Sequence, residues 1–488
     1  MFAGIDIGTT NAKISVYRDS GEEIARAVRG YPTRQLHAIP ARSLWSAVRS
    51  CLSELEEKLG GHVTIDTLAV STFGESVVAI DREGRALSDF ILRTCPDGDE
   101  ELHELLCRVP EREIHRITGL FPDKRFPLIR MKWYQKNTDV YHQAYKFLTV
   151  ESYLIYMLTG GFYTSESTAW RTMAYDIHCG AWSVPLLRAA GLDPDKLPEV
   201  LPSGSFCGVC SRADEFPLLR GARVCTGGHD QLCNAVGSGL RTGSALNCSG
   251  TVECISLLTP GLTDAEKYDR KLQQIPYPAQ PGMHFSFWAP VAGCSALDWC
   301  LRLLRADRYS EESRSALHDE MQQLCRRTPT ALLAAPYFNG RGFPQFSSAA
   351  AGMVKGLRLD TAPAELYQAV MESIAFEIRF CLDAMLPHSE SEQALRVFAS
   401  GGGANSAYWL QMKADIYGRD VVRFQHREAG TMGAMLLAAV GEGCYSSFDA
   451  AFRACIRTRD VFSPDPEMSG LYQEKYLRYL DFRRDAEA

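Results

Sequence analysis

Three carboxylates stand where apolar runs give way to small polar turns: Asp6 ahead of Gly8-Thr9-Thr10-Asn11, Glu75 within Thr72-Phe73-Gly74-Glu75-Ser76, and Asp230 within Gly227-Gly228-His229-Asp230-Gln231. The last stretch follows an apolar run ending at Val224-Cys225, and a small-residue helix is expected from Leu232. Its two glycines allow a sharp turn and a close ligand approach. A carboxylate placed there costs desolvation. Two roles fit: Asp230 takes a proton from a substrate hydroxyl, or it caps the helix.

Around Asp6 the pattern predicts a hairpin, Phe2 to Ile7 and Ala12 to Tyr17, with a Gly/Thr tip. Such a tip offers backbone N–H groups and two hydroxyls to an anion, and Asp6 beside it suits a hydrated Mg²⁺ on a phosphate. An ordinary hairpin with a self-satisfied aspartate fits equally. Ser249-Gly250-Thr251, between strands at 245–248 and 252–258, repeats this shape. The repeat implies either two related halves serving one nucleotide or a coincidence of hairpins. Ser400-Gly401-Gly402-Gly403-Ala404-Asn405 joins a strand to a helix, and its bare backbone suits a planar ring. Glu75 breaks two apolar strands, where a parallel or mixed sheet places ligand groups; a solvated turn glutamate is the alternative. Neither a Walker P-loop nor a Gly-x-Gly-x-x-Gly fingerprint follows the first strand.

Positioning such loops takes more than one core, and 488 residues suffice for two large domains. Apolar residues at 46% and charged residues at 23% describe a soluble globular chain. Lys+Arg of 52 against Asp+Glu of 59 leaves a charge of −7, without the basic field of a nucleic-acid binder. No signal peptide precedes the first strand and no apolar run reaches membrane-spanning length, so a cytoplasmic protein is expected. The 16 cysteines are scattered; Cys107, Cys225, Cys300 and Cys381 sit in apolar segments and are expected to be buried thiols. Cys207 and Cys210 have no second pair and are assigned a structural role rather than zinc. Helical periodicity marks 44–59, much of 100–160, 361–386, and an Ala/Gly/Met-rich segment from about 430 to 440. Residues 471–488 are expected to form a charged surface helix.

Taken together these motifs resemble the FGGY carbohydrate kinases, the group that includes xylulose and glycerol kinases. Gly4-Ile5-Asp6-Ile7-Gly8-Thr9-Thr10 is similar to their first phosphate loop, Gly227 to Gln231 to the segment carrying the base, and Ser249-Gly250-Thr251 to the second phosphate loop. Lys132-Trp133, Phe147-Leu148, Leu158-Thr159-Gly160, Pro336-Tyr337-Phe338-Asn339-Gly340, Gly401 to Asn405 and Glu428-Ala429-Gly430 complete the series in order. The resemblance implies an α/β fold of two ribonuclease-H-like domains, of the actin/Hsp70/sugar kinase superfamily, around a catalytic cleft. It places a carbohydrate-binding domain with a helical insertion at 1–243 and an ATP-binding domain at 244–488, closing by a hinge. It implies ATP and Mg²⁺, a small sugar or polyol substrate, and homodimers as a common assembly. By the same resemblance Asp230 is the general base and Asp6 the carboxylate near Mg²⁺. Thr9, Thr10, Gly250 and Thr251 line the phosphates and Lys13 adds positive charge. Gly402, Gly403 and Asn405 lie at the adenosine, and Glu75, Gly74, Gln231 and His229 face the substrate.

Departures from the family pattern concentrate at the substrate. Xylulose kinases usually carry Gln-Met-His-Gly where this chain has Phe73-Gly74-Glu75-Ser76. Glycerol kinases place an arginine where Gly74 stands, yet they share Glu75 and Gln231. His229 replaces a common small residue and either tunes Asp230, touches substrate, or is a surface turn histidine. The usual Gly-Glu-Arg loop reads Gly340-Arg341-Gly342, and Leu92 to Asp97 is a degraded Trp-x-Asp-x-Arg. A pentulose, hexulose or polyol kinase is expected. Xylulose kinase proper, a non-catalytic sugar- or nucleotide-binding regulator, and an actin- or chaperone-like ATPase are the alternatives.

Overall fold

The computed structural model describes residues 1–34, 37–61, 63–310, 312–342, 344–347, 349–386 and 395–485. The first sheet grows from the N-terminal hairpin. β1 (Phe2–Ile7) pairs antiparallel with β2 (Asn11–Tyr17), and β2 with β3 (Glu23–Gly30). Helix α1 (Ala41–Leu59) buries Leu44, Val48, Leu52 and Leu55 on one stripe and ends at Gly60, whose φ of 68° no other residue adopts as easily. It returns the chain to β4 (Thr67–Thr72), parallel to β1. β5 (Phe206–Val209) and β6 (Arg223–His229) complete the order β5-β6-β4-β1-β2-β3, with β6 parallel to β4. Helix α2 (Asp230–Gly237) follows β6.

The second sheet contains β7 (Ser244–Ser249), β8 (Val252–Thr259), β9 (Gln274–Pro276), β10 (His284–Ala292), β11 (Arg396–Ser400), β12 (Val421–Phe424) and β13 (Thr458–Phe462), in the order β9-β10-β8-β7-β11-β12-β13. Between and after these strands lie α3 (Pro363–Met385), α4 (Ala407–Tyr417), α5 (Ala429–Gly441), α6 (Phe448–Cys455) and α7 (Pro466–Asp485).

Six strands of the second sheet match the six of the first in order and direction, β9 being an addition at its edge. Three strands run antiparallel, β3-β2-β1 and β10-β8-β7; two add in parallel, β4 and β6 against β11 and β12; an antiparallel edge closes each, β5 and β13. The faint echo between residues 2–17 and 245–258 is therefore a duplicated architecture. It fixes corresponding places for the loops. The Gly8–Thr10 tip corresponds to Gly250-Thr251, the Gly74-Glu75 turn to the glycine run after β11, and Asp230 to Glu428. These are two α/β domains, each with a central mixed sheet flanked by helices.

Helices α2 and α5, which follow corresponding strands, meet through glycines. A Cβ on Gly433 would lie 1.8 Å from the Cys233 carbonyl oxygen, and one on Gly237 would lie 2.0 Å from that of Ala429. Helix α5 also lies against the first sheet: a Cβ on Gly4 would meet the Thr431 oxygen at 1.9 Å, and Ala434 and Ala438 pack with Ala69 and Cys225. The Ala/Gly/Met composition of this helix is what lets backbones approach so closely.

Two expectations are corrected. The C-terminal helix has an exposed outer face but is not simply a charged surface helix: Tyr472, Tyr476, Tyr479 and Phe482 on its inner face are buried. Its Lys475 pairs with Glu372 and its Arg483 Nε with Glu377 Oε1 at 2.8 Å, both pairs shielded from water against α3. Charges read as solvated are spaced to meet two buried glutamates; residues 486–488 of that expected helix lie outside the described residues. Cys107 is exposed at the end of a short helix, whereas Cys225, Cys300 and Cys381 are buried and Cys207 and Cys210 are buried free thiols. Among the described residues no helix is long and apolar enough to cross a membrane.

Candidate active site

At the end of β6, His229 takes the helix-capping position with extended backbone and no side-chain cap, and Asp230 is the first helical residue. The capping role for Asp230 is thereby excluded. The two glycines before it are steric necessities. A Cβ on Gly227 would lie 2.3 Å from the Val70 oxygen, and one on Gly228 would lie 2.5 Å from Ser167 Oγ. The same turn is held by hydrogen bonds. The Gly227 N–H donates to Glu151 Oε1 at 2.9 Å, and the His229 N–H to Ser167 Oγ at 3.0 Å. Glu151 is fully buried and also accepts from the Ser165 N–H and hydroxyl, each at 2.8 Å. Sequence reading missed Glu151 and Ser167; both lie in segments marked only as helix or polar loop.

The Asp230 side chain keeps 29% of its surface exposed, and His229 Nε2 lies 3.3 Å from its Oδ1. Burial, then the neighbouring charges of Asp6 and Glu75, push its carboxyl up to about 8. His229 is 3% exposed, with its ring against Trp170 and Phe287. The surface-turn alternative for it is overturned. Burial, reinforced by Arg171, brings His229 down to about 3, so it is neutral at ordinary pH.

Asp6 lies between β2 and β4, opposite Lys13 on one side and Ser71 on the other. The Ser71 hydroxyl donates to Asp6 Oδ1 at 2.7 Å. Burial raises the Asp6 carboxyl, against the lowering pull of Lys13 and Ser71. Lys13 Nζ donates to Glu428 Oε2 at 2.7 Å, and Arg26 pairs with the other oxygen of Glu428 at 3.2 Å. The direction of Lys13, open in the sequence, is thus toward Asp6 and the start of α5.

Glu75 turns through a left-handed φ of 57°. Burial pushes its carboxyl up, but Arg171 and Arg125 outweigh burial and hold it at about 2. The Arg171 Nε donates to Glu75 Oε1 at 2.7 Å and Nη2 donates to the same oxygen. Nη1 donates to Gln273 Oε1 at 2.9 Å, so the chain that builds the second sheet reaches this site. The Arg171 guanidinium also lies 4.9 Å from the Trp170 ring and 5.2 Å from Phe126 and Phe287. Arg171 is the principal residue that sequence reading missed. Only its setting in a polar, hydroxyl-rich segment hinted at it. Gly74 faces Arg171 and His229 directly: a Cβ there would lie 2.7 Å from Arg171 Cβ and 2.9 Å from His229 Cδ2.

Four polar atoms at these strand ends are buried without a protein partner: Thr72 Oγ1, Ser76 Oγ, His229 Nδ1 and Gln231 Oε1. Buried polar atoms without a partner are uncommon, and four of them gather at these strand ends.

The phosphate-loop candidates are exposed tips. Thr9, Thr10 and Thr251 present their side chains to solvent. Behind the second tip, Lys413 Nζ donates to Ser249 Oγ and Glu253 Oε1, each at 2.6 Å, in a pocket closed to water. The glycine run lies on this tip. A Cβ on Gly401 would meet the Ser249 oxygen at 2.7 Å, and one on Gly403 would meet Ser249 Cβ at 2.6 Å, whereas Gly402 faces open space. Asn405 is exposed and shares a surface depression with Gly401 and Arg423.

Among the described residues no group of three or more His, Cys, Asp or Glu could hold a metal alone. Mg²⁺ does not need one, since it takes one or two carboxylates and completes its shell with water and substrate phosphates. Asp6, at the end of β1 beside the Gly8–Thr10 tip, fits that demand.

Comparison with known proteins agrees with this arrangement over nearly the whole chain. Residues 1–237 match the N-terminal domain and residues 246–442 the C-terminal domain of the FGGY family of carbohydrate kinases. Xylulose kinase of Staphylococcus xylosus is 24% identical over 484 residues, covering 98% of each chain. Glycerol kinase of Ralstonia nicotianae is 28% identical over 471 residues, covering 92% of this chain and 91% of its own. The ligand-bound crystal structure of xylulose kinase from Lactobacillus acidophilus superposes with a TM-score of 0.87 at 20% identity, over 100% of this chain and 98% of that one.

Proposed function

The chain belongs to the FGGY family of carbohydrate kinases, and we propose that it transfers the γ-phosphoryl group of ATP to a hydroxyl of a pentulose, hexulose or polyol. Asp230 is the general base in this reading. It takes the proton of the acceptor hydroxyl as that oxygen bonds to the γ-phosphorus, and the bond to the β–γ bridging oxygen breaks to leave ADP. The observation that carries this is the setting of Asp230: first in a helix, at the carboxyl end of a parallel strand, beside Asp6, with a carboxyl raised to about 8. A base works best when its pKa lies near the working pH. Neither a helix cap nor a passive binding module calls for such tuning.

The other roles follow from position. Asp6 would hold Mg²⁺ brought in with ATP, and the ion would supply neutralisation of phosphate charge. Thr9, Thr10, Gly250 and Thr251 present donors to the phosphates, with Lys13 adding charge from behind. Gly402 gives the adenosine a surface without side chains, and Asn405 borders it. Glu75, kept ionised by Arg171, and Gln231 offer acceptors to substrate hydroxyls, while the neutral His229 ring lies beside Asp230, its Nε2 3.3 Å from Oδ1.

The test is ADP release by the purified protein with ATP, Mg²⁺ and a panel of ketoses and polyols. Asp230→Asn should abolish sugar-dependent turnover and leave ADP binding intact. ADP release indifferent to every carbohydrate would overturn the reading in favour of an ATPase, and sugar binding without turnover would favour a regulator.

A further inference from the structure

A cavity of about 450 Å³, not lined by Asp230, lies where the chain passes from one sheet to the other. One wall is the connection between α2 and β7, residues 238–243, with Arg241 at its centre. The facing walls come from β11, β12 and α6, which contribute Arg396, Phe424 and Arg453. Its volume lies within the range of small-molecule sites.

The lining has a definite chemistry. Three guanidinium groups meet a single carboxylate, Asp449, on a protein whose overall charge is −7. Among the described residues Arg241 and Arg453 form no ion pair, and Arg396 has only a 3.8 Å approach to the half-buried Asp420. Unpaired arginines that share a concave surface are what planar, bidentate recognition of phosphate uses. The floor is aromatic: Phe398 and Phe424 pack edge to face at 5.1 Å, and Phe452 lines the same cavity. Ser238, 1% exposed, belongs to the same wall, and its hydroxyl is buried there without a partner.

We propose that this cavity is a second binding site, for a small organic phosphate whose apolar body rests on the phenylalanines while the arginines take its phosphate. An occupant there bridges residues 238–243 to β11 and α6, so it ties the interdomain connection to the second domain. The site is independent of the phosphoryl-transfer reading.

Phenyl phosphate is the probe, titrated calorimetrically into the full-length protein with ADP and Mg²⁺ saturating the cleft. Saturable binding is expected, weaker for inorganic phosphate and absent for benzyl alcohol. Arg241→Gln/Arg453→Gln, both at exposed positions, should weaken binding at least tenfold while leaving ADP affinity unchanged. If that pair misfolds, Arg396→Gln should weaken binding in the same direction. Amide exchange across residues 238–244 should slow when phenyl phosphate is bound. No saturable binding, or binding unchanged in the arginine variants, would overturn the proposal.

Discussion

Arg171 passes directly over the Cα of Gly74 and closes on Glu75, its Nε 2.7 Å from Oε1. Three features depend on one another here. A side chain at residue 74 would displace the arginine; the arginine ionises Glu75; and the paired carboxylate holds residue 75 in a left-handed turn that non-glycine residues seldom adopt. The guanidinium is 4% exposed and the carboxylate 16%, so this is a largely desolvated pair.

Removing one partner of such a pair leaves a buried uncompensated charge, at a cost of about 3–5 kcal/mol. Arg171→Leu should lower stability in urea by that order, and Arg171→Leu/Glu75→Leu should recover much of it. The pH dependence has a definite sign. With Glu75 held at about 2, its stabilising contribution is present above its ordinary value of 4.5 and is lost as pH falls through 2. Parent and Arg171→Leu should therefore converge in stability at low pH. Equal stability at neutral pH would show the pair to be dispensable.

How much of this was legible in the sequence divides along physical lines. Local turn chemistry was readable: Gly227-Gly228 before Asp230, the Gly8–Thr10 tip and the glycine run after β11 all lie at the ends of strands. Long-range pairing was not. Arg171 meets Glu75 from 96 residues away, and Lys13 meets Glu428 from 415 away; neither contact leaves a local pattern. The C-terminal helix misled for the same reason. Lys475 and Arg483 read as solvated until their partners on α3 are known. The duplication of the sheets showed only as a faint echo, because strand pairing conserves direction and order rather than residue type.

The raised carboxyl of Asp230 gives two linked pH expectations. As a base it must be ionised, so kcat/KM should rise about tenfold per pH unit below 8 and level off above it. For stability the sign is opposite to that of Glu75. Below its ordinary value of 3.8 the group is protonated in both folded and unfolded chains. As pH rises toward 8 only the unfolded chain ionises, so stability is lost. Asp230→Asn removes that loss, and its melting temperature should exceed the parent's by a margin that grows from pH 5 to about pH 8 and then levels off. A constant margin would mean that the carboxyl ionises normally in the fold.

Lys13 and Glu428 should act on nucleotide binding in opposite directions. Lys13 lowers the Asp6 carboxyl and Glu428 raises it. Lys13→Met takes away support for the ionised Asp6 and, in the proposed reading, a cation near the phosphates. ADP–Mg²⁺ affinity should fall about tenfold, the scale of one charge-assisted hydrogen bond. Glu428→Gln keeps Lys13 and removes a competing anion, so affinity should hold or rise. Calorimetric titration of ADP with Mg²⁺ reads both. A fall of equal size in the two variants would show that the ion pair serves only to dock α5.

The glycine run after β11 separates packing from binding at adjacent residues. A Cβ on Gly403 would lie 2.6 Å from Ser249 Cβ and 2.7 Å from the Trp409 ring, whereas one on Gly402 meets nothing within 4 Å. Gly403→Ala must therefore push the Ser249–Thr251 tip away, lowering the melting temperature and, if that tip holds the phosphates as proposed, raising KM for ATP together. Gly402→Ala disturbs no protein contact, and alanine lowers the chain's unfolded entropy, so its melting temperature should equal or slightly exceed the parent's. If the adenosine lies on this bare backbone, the added methyl group stands where the ring must pack. KM for ATP should then rise with acceptor KM unchanged. Unaltered ATP kinetics in a fully stable Gly402→Ala would place the adenosine elsewhere.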